Sequence, residues 1–147
     1  MLEETILVTG GAGFIGSNFV NAWIRLELGK VINLDKLTYA GNMENLAGVS
    51  QNTYHVFIHA DIGNRAIVKN LLETYRPRAV LNFAAESHVD RSILGPDAFI
   101  QTNVVGTFNL LEEVRGYWHA LPIDAQQQFR FLHVSTDEVY GSLGPHD

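Results

Sequence analysis

The sequence of 147 residues contains no cysteine at all. Disulfide bonds, thiolate nucleophiles and zinc sites with cysteine ligands are therefore excluded. It also has no run of about 18 or more apolar residues, the length that a membrane-spanning helix requires. Its first residues lack the basic start and the apolar stretch of a secretory signal. We therefore expect a cytoplasmic protein that has no membrane partner.

Positive charge is scarce as well. There are 10 Lys and Arg residues against 16 Asp and Glu, which gives a net charge of −6. The basic residues are scattered and form no stripe, so nucleic acid is not an expected partner. An anionic small molecule is still compatible with this charge, because backbone amides at the start of a helix bind phosphate.

Strand and helix patterns alternate along the chain. Apolar residues at helical spacing predict helices around residues 19–24, 67–75 and 97–118, with a short one near 43–46, and Gly29 is expected to end the first helix. Short apolar runs predict buried parallel strands at Thr5–Thr9, Val31–Asp35, Tyr54–Ile58, Ala79–Phe83 and Phe129–Val134. This alternation predicts one α/β domain over residues 1–147 with a doubly wound parallel sheet, which is a Rossmann-type architecture.

The six histidines are the candidate metal ligands in a chain that has no cysteine. His55 and His59 stand at i and i+4, a spacing that brings two imidazoles together on a helix. Here they fall in or beside a predicted strand, where four residues span roughly 13 Å. That distance is too long for shared ligation, so no metal site is expected.

A glycine-rich turn, Gly10–Gly16, follows the first predicted strand and opens the first predicted helix. It fits both G-x-G-x-x-G and G-x-x-G-x-x-G, the patterns in which glycines let a turn and a helix start approach a pyrophosphate. Asp35 ends the second strand about 20 residues later, where a carboxylate would bind the adenosine ribose hydroxyls. The acid favours NAD over NADP because it would repel a 2′-phosphate, although the neighbouring Lys36 weakens that preference.

Polar and small residues follow the third and fourth strands, at the expected ligand edge of the sheet. Asp61 has two open interpretations, which are a bond to the adenine amino group and an N-cap for the helix that starts near Asn64. Ala84 and Ala85 are small enough to let a cofactor lie close, although ordinary packing explains them too.

The segment Ser135–Gly141 begins where the fifth strand ends. Asp137 and Glu138 stand next to each other beside the Thr136 hydroxyl, and different surroundings can separate the pKa values of two such carboxyls so that one acts as acid and the other as base. The alternative is a helix start, with Ser135 or Thr136 as N-cap and the acids in the first turn. The residues alone leave both interpretations open.

Several of these segments match those of a known family. They are Val8–Gly16, Leu34–Asn42, Ala84–Ile93, Asn103–Thr107 and Ser135–Gly141. Together they resemble the extended short-chain dehydrogenase/reductases, and among these the dTDP-glucose 4,6-dehydratases. The triplet at residues 136–138 separates relatives best, since similar GDP-mannose dehydratases usually have Ser in its middle position and 4-epimerases lack the acid pair.

The resemblance implies a set of residues that bind NAD. Phe14 and Ile15 would present their backbone to the cofactor phosphates. The complete set is Gly10, Gly13, Phe14, Ile15, Gly16, Asp35, Lys36, Leu37, Thr38, Asp61, Ile62, Phe83, Ala84, Ala85, Glu86, Ser87 and Thr102.

The resemblance also implies a substrate and a catalytic group. The substrate is a nucleotide-diphosphate hexose, most closely dTDP-glucose, which Ser87 and Thr136 would contact. Glu138 would remove the proton at sugar C5 while Asp137 protonates the departing C6 hydroxyl, and bound NAD would supply hydride transfer at C4 and C6. Thr136, Asp137 and Glu138 are thus the expected catalytic residues, in a homodimer formed through helices around residues 97–118.

One family feature is missing from these residues. Relatives oxidise C4 with a Tyr-x-x-x-Lys pair, and no tyrosine here has a lysine four positions later; in the family the pair would follow just after Asp147. We therefore expect the chain to be the NAD-binding part of a longer lyase, able to bind NAD, unable to turn over and prone to associate. The alternatives are another sugar-nucleotide enzyme (a GDP-mannose dehydratase, a 4-epimerase or a UDP-glucuronate decarboxylase) and a non-catalytic NAD-binding module.

Overall fold

The computed structural model describes residues 4–87, 95–136, 139, 141 and 144. Its strands are β1 (Thr5–Thr9), β2 (Lys30–Asp35), β3 (His55–His59), β4 (Ala79–Asn82) and β5 (Arg130–His133). Its helices are α1 (Phe14–Arg25), α2 (Arg65–Tyr75), α3 (Pro96–Phe99), α4 (Thr107–Ala120) and α5 (Ile123–Gln128), with a 3-10 helix at Met43–Leu46 and a π-helical segment at Ile100–Gly106. Within the described ranges no helix is long and apolar enough to cross a membrane.

The strands form one parallel sheet in the order β3-β2-β1-β4-β5. Leu7 in the central strand pairs with Ile32 of β2 on one side and with Val80 of β4 on the other. Because the chain continues outward in one direction from β1 to β3 and then returns to the other side of β1, the sheet has a topological switch point beside β1. The doubly wound Rossmann-type prediction is confirmed.

Helices cover both faces of this sheet, and alternate residues of each strand belong to two separate cores. Leu7, Ile32 and Val80 pack in the core that contains residues of α2 and α4. Ile6 and Val8 pack in the core that contains residues of α1 and of the segment after the 3-10 helix. Burial of both faces explains why the strands are nearly continuous apolar runs.

The end of α1 differs from the prediction for Gly29. The helix ends at Arg25, and Glu27 rather than a glycine takes a left-handed conformation with φ +53°. Gly29 lies beyond it, at φ +126°, directly before β2. A Cβ at this position would collide with the Glu4 carbonyl, which accepts a hydrogen bond from the Lys30 amide at 2.8 Å. The glycine therefore permits a close approach between two segments and does not cap the helix.

The long helix predicted over residues 97–118 is continuous but not uniform. The π-helical segment separates the single turn of α3 from α4. Gly106 ends this segment against Ile62, where an added Cβ would come within 3.1 Å of the isoleucine Cγ1. Segments of this kind occur often at functional sites.

Candidate functional site

A cleft of about 430 Å³ lies at the carboxyl ends of the strands. This volume is in the range of small-molecule and cofactor sites. Its walls come from the glycine turn, the ends of β2 to β4, the π-helical segment and the residues that follow β5. The lining residues are Gly10, Gly13, Phe14, Ile15, Gly16, Leu34, Asp35, Lys36, Thr38, Ala40, Gly41, Ala60, Asp61, Ile62, Phe83, Ala84, Ala85, Glu86, Ser87, Thr102, Val134, Ser135 and Thr136.

At two positions of the glycine turn an added side chain would collide with backbone atoms. Gly10 has φ +71°, and an added Cβ would lie 2.5 Å from the Ala84 amide nitrogen. A Cβ at Gly16 would collide with the Gly10 carbonyl oxygen. These contacts bring the start of α1 against the turn and the turn against the segment that leaves β4.

The start of α1 faces this cleft. Among the described residues, no side chain caps its N-terminus and no acid stands in its first turn. Phe14 and Ile15, the first two helical residues, are 82% and 61% exposed and line the cleft. The unpaired amides and the positive end of a helix favour an anion at such a position, which fits a pyrophosphate.

Asp35, the last residue of β2, is 8% exposed, and its carboxylate connects this strand to the glycine turn and to the segment that follows. Its Oδ2 accepts a hydrogen bond from the Ala12 amide and its Oδ1 accepts one from the Leu37 amide, both at 2.8 Å. A carboxylate has about four acceptor positions, so it can still accept bonds from a ribose. Leu37, predicted among the cofactor residues, is not among the described lining residues; its backbone turns to φ +53° and its side chain packs against the α1 core.

Lys36 and Asp61 form an ion pair with their N and O atoms 2.7 Å apart. Burial by itself raises the pKa of the Asp61 carboxyl. Hydrogen bonds from Lys36 and from the Gly63 amide, together with the positive charge of Lys36, outweigh burial and hold this pKa below its ordinary value. The alternative that Asp61 caps α2 is wrong. Asn64 is the N-cap, and its side chain accepts a hydrogen bond from the Ile67 amide at 3.2 Å.

The segment after β4 is held from both sides by asparagine side chains. Asn82 Oδ1 accepts a hydrogen bond from the Ala84 amide at 3.2 Å. Asn103 in the π-helical segment makes two bonds of 2.8 Å to the backbone of Glu86. The segment lines the cleft as predicted for residues 83–87, but the side chains that fix it were not predicted as functional.

Val134, Ser135 and Thr136 line the cleft at its β5 end. Thr136, predicted to contact the sugar, thus lies on the same cleft as Ser87. Asp137 and Glu138 lie outside the described residues, so their predicted roles stay predictions.

Six of the lining residues were not predicted as site residues, namely Leu34, Ala40, Gly41, Ala60, Val134 and Ser135. Ala40 and Gly41 fall in the family-like segment after β2, which was the available signal. An added Cβ at Gly41 would lie 2.9 Å from the Asp35 Oδ1, so glycine lets this loop close over the acid.

The described part of the chain contains no group of three or more His, Asp or Glu residues arranged to hold a metal ion. His55 is buried with its Nε2 3.3 Å from the Asn33 Nδ2, whereas the His59 Nε2 lies 3.0 Å from the Lys36 carbonyl oxygen. The two imidazoles therefore have different partners.

Comparison with known proteins gives consistent matches. The family model described as GDP-mannose 4,6 dehydratase matches residues 7–147. A dTDP-glucose 4,6-dehydratase of Xanthomonas campestris pv. campestris (strain B100) is 64% identical over 140 residues, which are 95% of this chain and 40% of the relative. The chain therefore spans about 40% of the length of the curated relatives it matches.

Solved structures agree with the sequence matches. A dTDP-glucose 4,6-dehydratase of Streptomyces venezuelae, solved with NAD and TYD bound, has a TM-score of 0.79 and 45% identity over 95% of this chain and 42% of its own. A dTDP-glucose 4,6-dehydratase of Bacillus anthracis in complex with NAD has a TM-score of 0.78 and 40% identity over 97% of this chain and 40% of its own.

Proposed function

The chain belongs to the GDP-mannose 4,6 dehydratase family, and from this membership we propose that it is the NAD-binding part of a dTDP-glucose 4,6-dehydratase. The observation that carries the proposal is that one cleft brings together the glycine turn, the uncapped start of α1 and the buried Asp35. The proposed domain covers residues 1–147, with the Tyr-x-x-x-Lys pair and the substrate domain in further sequence.

The cleft fits an extended dinucleotide along the strand order. Asp35 and Asp61, at the ends of β2 and β3, would hold the adenosine. The start of α1 above β1 would hold the pyrophosphate. The nicotinamide half would then lie over β4 and β5, against residues 83–87 and 134–136, and when bound it supplies reversible hydride transfer to a sugar carbon.

Two features favour NAD over NADP. The Asp35 carboxylate would face a 2′-phosphate and repel it. Lys36, the cation that would otherwise offset this repulsion, already forms an ion pair with Asp61 at 2.7 Å. Lys36 is therefore bound to Asp61 and is not free to neutralise a 2′-phosphate.

Residues at the β5 end of the cleft would carry the chemistry on the sugar. Ser87 and Thr136 lie on the same cleft and would orient the sugar through their hydroxyls. In this proposal Glu138 removes the proton at C5, and Asp137 protonates the hydroxyl that leaves C6. Their separation into base and acid requires different surroundings for the two carboxyls.

The nucleotide of the substrate is inferred from the degree of similarity. The family description names GDP-mannose, but the relatives and structures reported above are dTDP-glucose 4,6-dehydratases with identities of 40% to 64%. The Thr136-Asp137-Glu138 triplet supports the same choice. We therefore propose dTDP-glucose as the substrate. We also propose a cytoplasmic location for the protein.

We also propose a homodimer. The π-helical segment and α4 carry a stripe of exposed apolar side chains at helical spacing, namely Ile100, Val104, Phe108 and Leu111. The first three are 53%, 57% and 58% exposed. Contiguous apolar surface of this kind marks an association site, and a second copy would bury it.

Calorimetric titration of the chain with NAD⁺ and NADP⁺ tests the cofactor assignment. NAD⁺ should bind, and NADP⁺ should bind at least about tenfold more weakly, because like charges face each other. Binding of neither would contradict the proposal.

The activity is tested on a longer protein. The coding frame past codon 147 should continue into a Tyr-x-x-x-Lys pair, and its product should convert dTDP-glucose to the 4-keto-6-deoxy sugar. An E138Q variant should lose this activity. Turnover of GDP-mannose and not of dTDP-glucose would overturn the proposed substrate, but the proposal of a dehydratase reaction would still stand.

A further inference from the structure

Both backbone groups of Ala12, in the middle of the glycine turn, bind residues outside the turn. Its amide donates to Asp35 Oδ2 at 2.8 Å. Its carbonyl accepts a hydrogen bond from Asn45 Nδ2 at 2.9 Å and one from the Asn42 amide at 3.1 Å. Ala12 is fully buried, so solvent does not compete for these groups. The orientation of the two peptides that flank Ala12 is therefore set by β2 and by the segment after it.

Asn45 connects this turn to α1. It lies in the 3-10 helix, and its side chain binds the turn, whereas its own carbonyl accepts a hydrogen bond from Asn21 Nδ2 in α1 at 2.8 Å. The same Asn21 Nδ2 lies 2.8 Å from the Ser17 carbonyl. Leu46, the next residue, is fully buried in the core on the α1 side of the sheet and anchors the segment there. One residue thus contacts both the turn and the helix that the turn opens.

These contacts meet where α1 begins. Gly13 is the N-cap of α1, and its nitrogen belongs to the same peptide group as the Ala12 carbonyl. The direction of this carbonyl therefore influences how the chain enters the helix and where the amides of Phe14 and Ile15 point. Both of these residues line the cleft. Amides that are already fixed in place bind an anion at a lower entropic cost.

We propose that Asn45 is a positioning residue for the pyrophosphate of the bound cofactor. The inference rests on the proposed function, because it assumes that the start of α1 holds the pyrophosphate. Asn45 is not among the described residues that line the cleft, so it acts through Ala12. Its loss should loosen the start of α1 and leave the adenine position beside Asp61 unchanged.

The test uses the 147-residue chain and ADP, which carries the adenosine and the pyrophosphate of the proposed cofactor. N45A removes the side-chain bond to Ala12, but the Ala12 carbonyl keeps its bond from the Asn42 amide. The backbone carbonyl of residue 45 also remains as the acceptor for Asn21. We expect the ADP affinity of N45A in calorimetric titration to fall about fivefold, as the loss of one hydrogen bond implies.

Backbone amide shifts, measured by NMR at saturating ADP, locate the effect. The shifts of Phe14 and Ile15 should differ between N45A and the wild type, because the start of α1 changes its orientation. The shifts of Asp61 and Ile62 should be the same in both proteins. A purely structural role would alter all four.

Two further variants define the effect. N45D has nearly the same shape as the wild type but cannot donate to the Ala12 carbonyl, so it should show the same pattern as N45A. N52A is the matched control. Asn52 is exposed and lies in the same connection between β2 and β3, but its side chain accepts a bond from the Tyr54 amide at 2.9 Å, within its own turn. N52A should leave the ADP affinity and the four shifts unchanged.

Three outcomes would overturn the role of Asn45. Unchanged ADP affinity in N45A, or unchanged shifts at Phe14 and Ile15, shows that its bond to Ala12 does not position the pyrophosphate. Altered shifts at Asp61 and Ile62 as well, or loss of the folded state in both N45A and N45D, show a general structural role. A wild-type chain that binds neither ADP nor NAD⁺ overturns the proposed function, and the role of Asn45 with it.

Discussion

The carboxylate of Asp35 accepts a hydrogen bond from the backbone amide of Ala12, at 2.8 Å. The bond joins the end of β2 to the middle of the glycine turn. The same carboxylate accepts a bond from the Leu37 amide, so it holds both the glycine turn and the backbone that follows β2. Asp35, which the sequence analysis predicts to bind the cofactor, therefore also stabilises the folded backbone around it.

Replacing Asp35 should change both stability and cofactor preference. D35N weakens two hydrogen bonds to a charged acceptor, and we expect the free energy of unfolding to fall by about 1–2 kcal/mol. The loss of the negative charge should also narrow the difference between NAD⁺ and NADP⁺ affinity. Urea denaturation and calorimetric titration measure the two effects. D124N, at an exposed acid in the first turn of α5, is the control and should change neither by a comparable amount.

Two helical glycines should respond in opposite directions to the same substitution. In G16A the new Cβ collides with the Gly10 carbonyl, a backbone atom that cannot move aside, so the free energy of unfolding should fall by about 2 kcal/mol. In G116A, among the described residues, the new Cβ meets no atom within 4 Å. That substitution should stabilise the chain by up to about 1 kcal/mol through helix propensity. Equal urea midpoints for the two variants would contradict the packing described for the glycine turn.

His55 should make stability depend on pH. Burial lowers the pKa of the His55 imidazole from its ordinary value of 6.5, against a hydrogen bond with the Val49 backbone that raises it. Between the lowered pKa of the folded chain and 6.5, the unfolded chain binds more protons, so the free energy of unfolding falls as the pH drops through this window.

Urea midpoints at about pH 7.5 and about pH 5.5 measure this dependence in the wild type and in H55Q. The wild type should lose more stability than H55Q between the two values, since glutamine does not titrate. Parallel declines in the two proteins would show that His55 does not contribute.

Association through the apolar stripe should be sensitive to a single charge. F108E places a carboxylate in the middle of the stripe, and the chain should then elute as a monomer where the wild type forms a dimer. I123E is the control, because Ile123 is 72% exposed but lies in α5, outside the stripe. Light scattering coupled to gel filtration measures both masses. A wild-type monomer, or dissociation by I123E as well, would argue against this interface.

Local patterns predicted most of the fold because each strand is short, apolar and buried on both faces. The bounds of β1 are those that the sequence predicts, and β3 is shifted by one residue, from Tyr54–Ile58 to His55–His59. The ligand edge was predictable for a similar reason, since all the carboxyl ends of parallel strands meet at one edge. Nearly all of the predicted cofactor residues line the cleft.

The features that were missed depend on contacts between distant segments. Asn103, in the π-helical segment, bonds to Glu86 in the segment that follows β4, 17 residues earlier in the chain. The conformation of Gly29 depends on the nearby Glu4 carbonyl rather than on the end of α1. Leu37 turns away from the cleft because the Asp35 carboxylate binds its amide. Helical periodicity also does not reveal the π-helical segment, whose last residue, Gly106, lies close against Ile62.

The pairing of β1 with β4 has a consequence for the order in which the chain folds. Thr9 bonds to Asn82, 73 residues later, and Gly10 packs against Ala84. During synthesis the glycine turn leaves the ribosome early, but it cannot reach this packing until the segment after β4 has emerged and a long loop has closed. The glycine turn is thus among the first segments made and among the last to acquire its final shape.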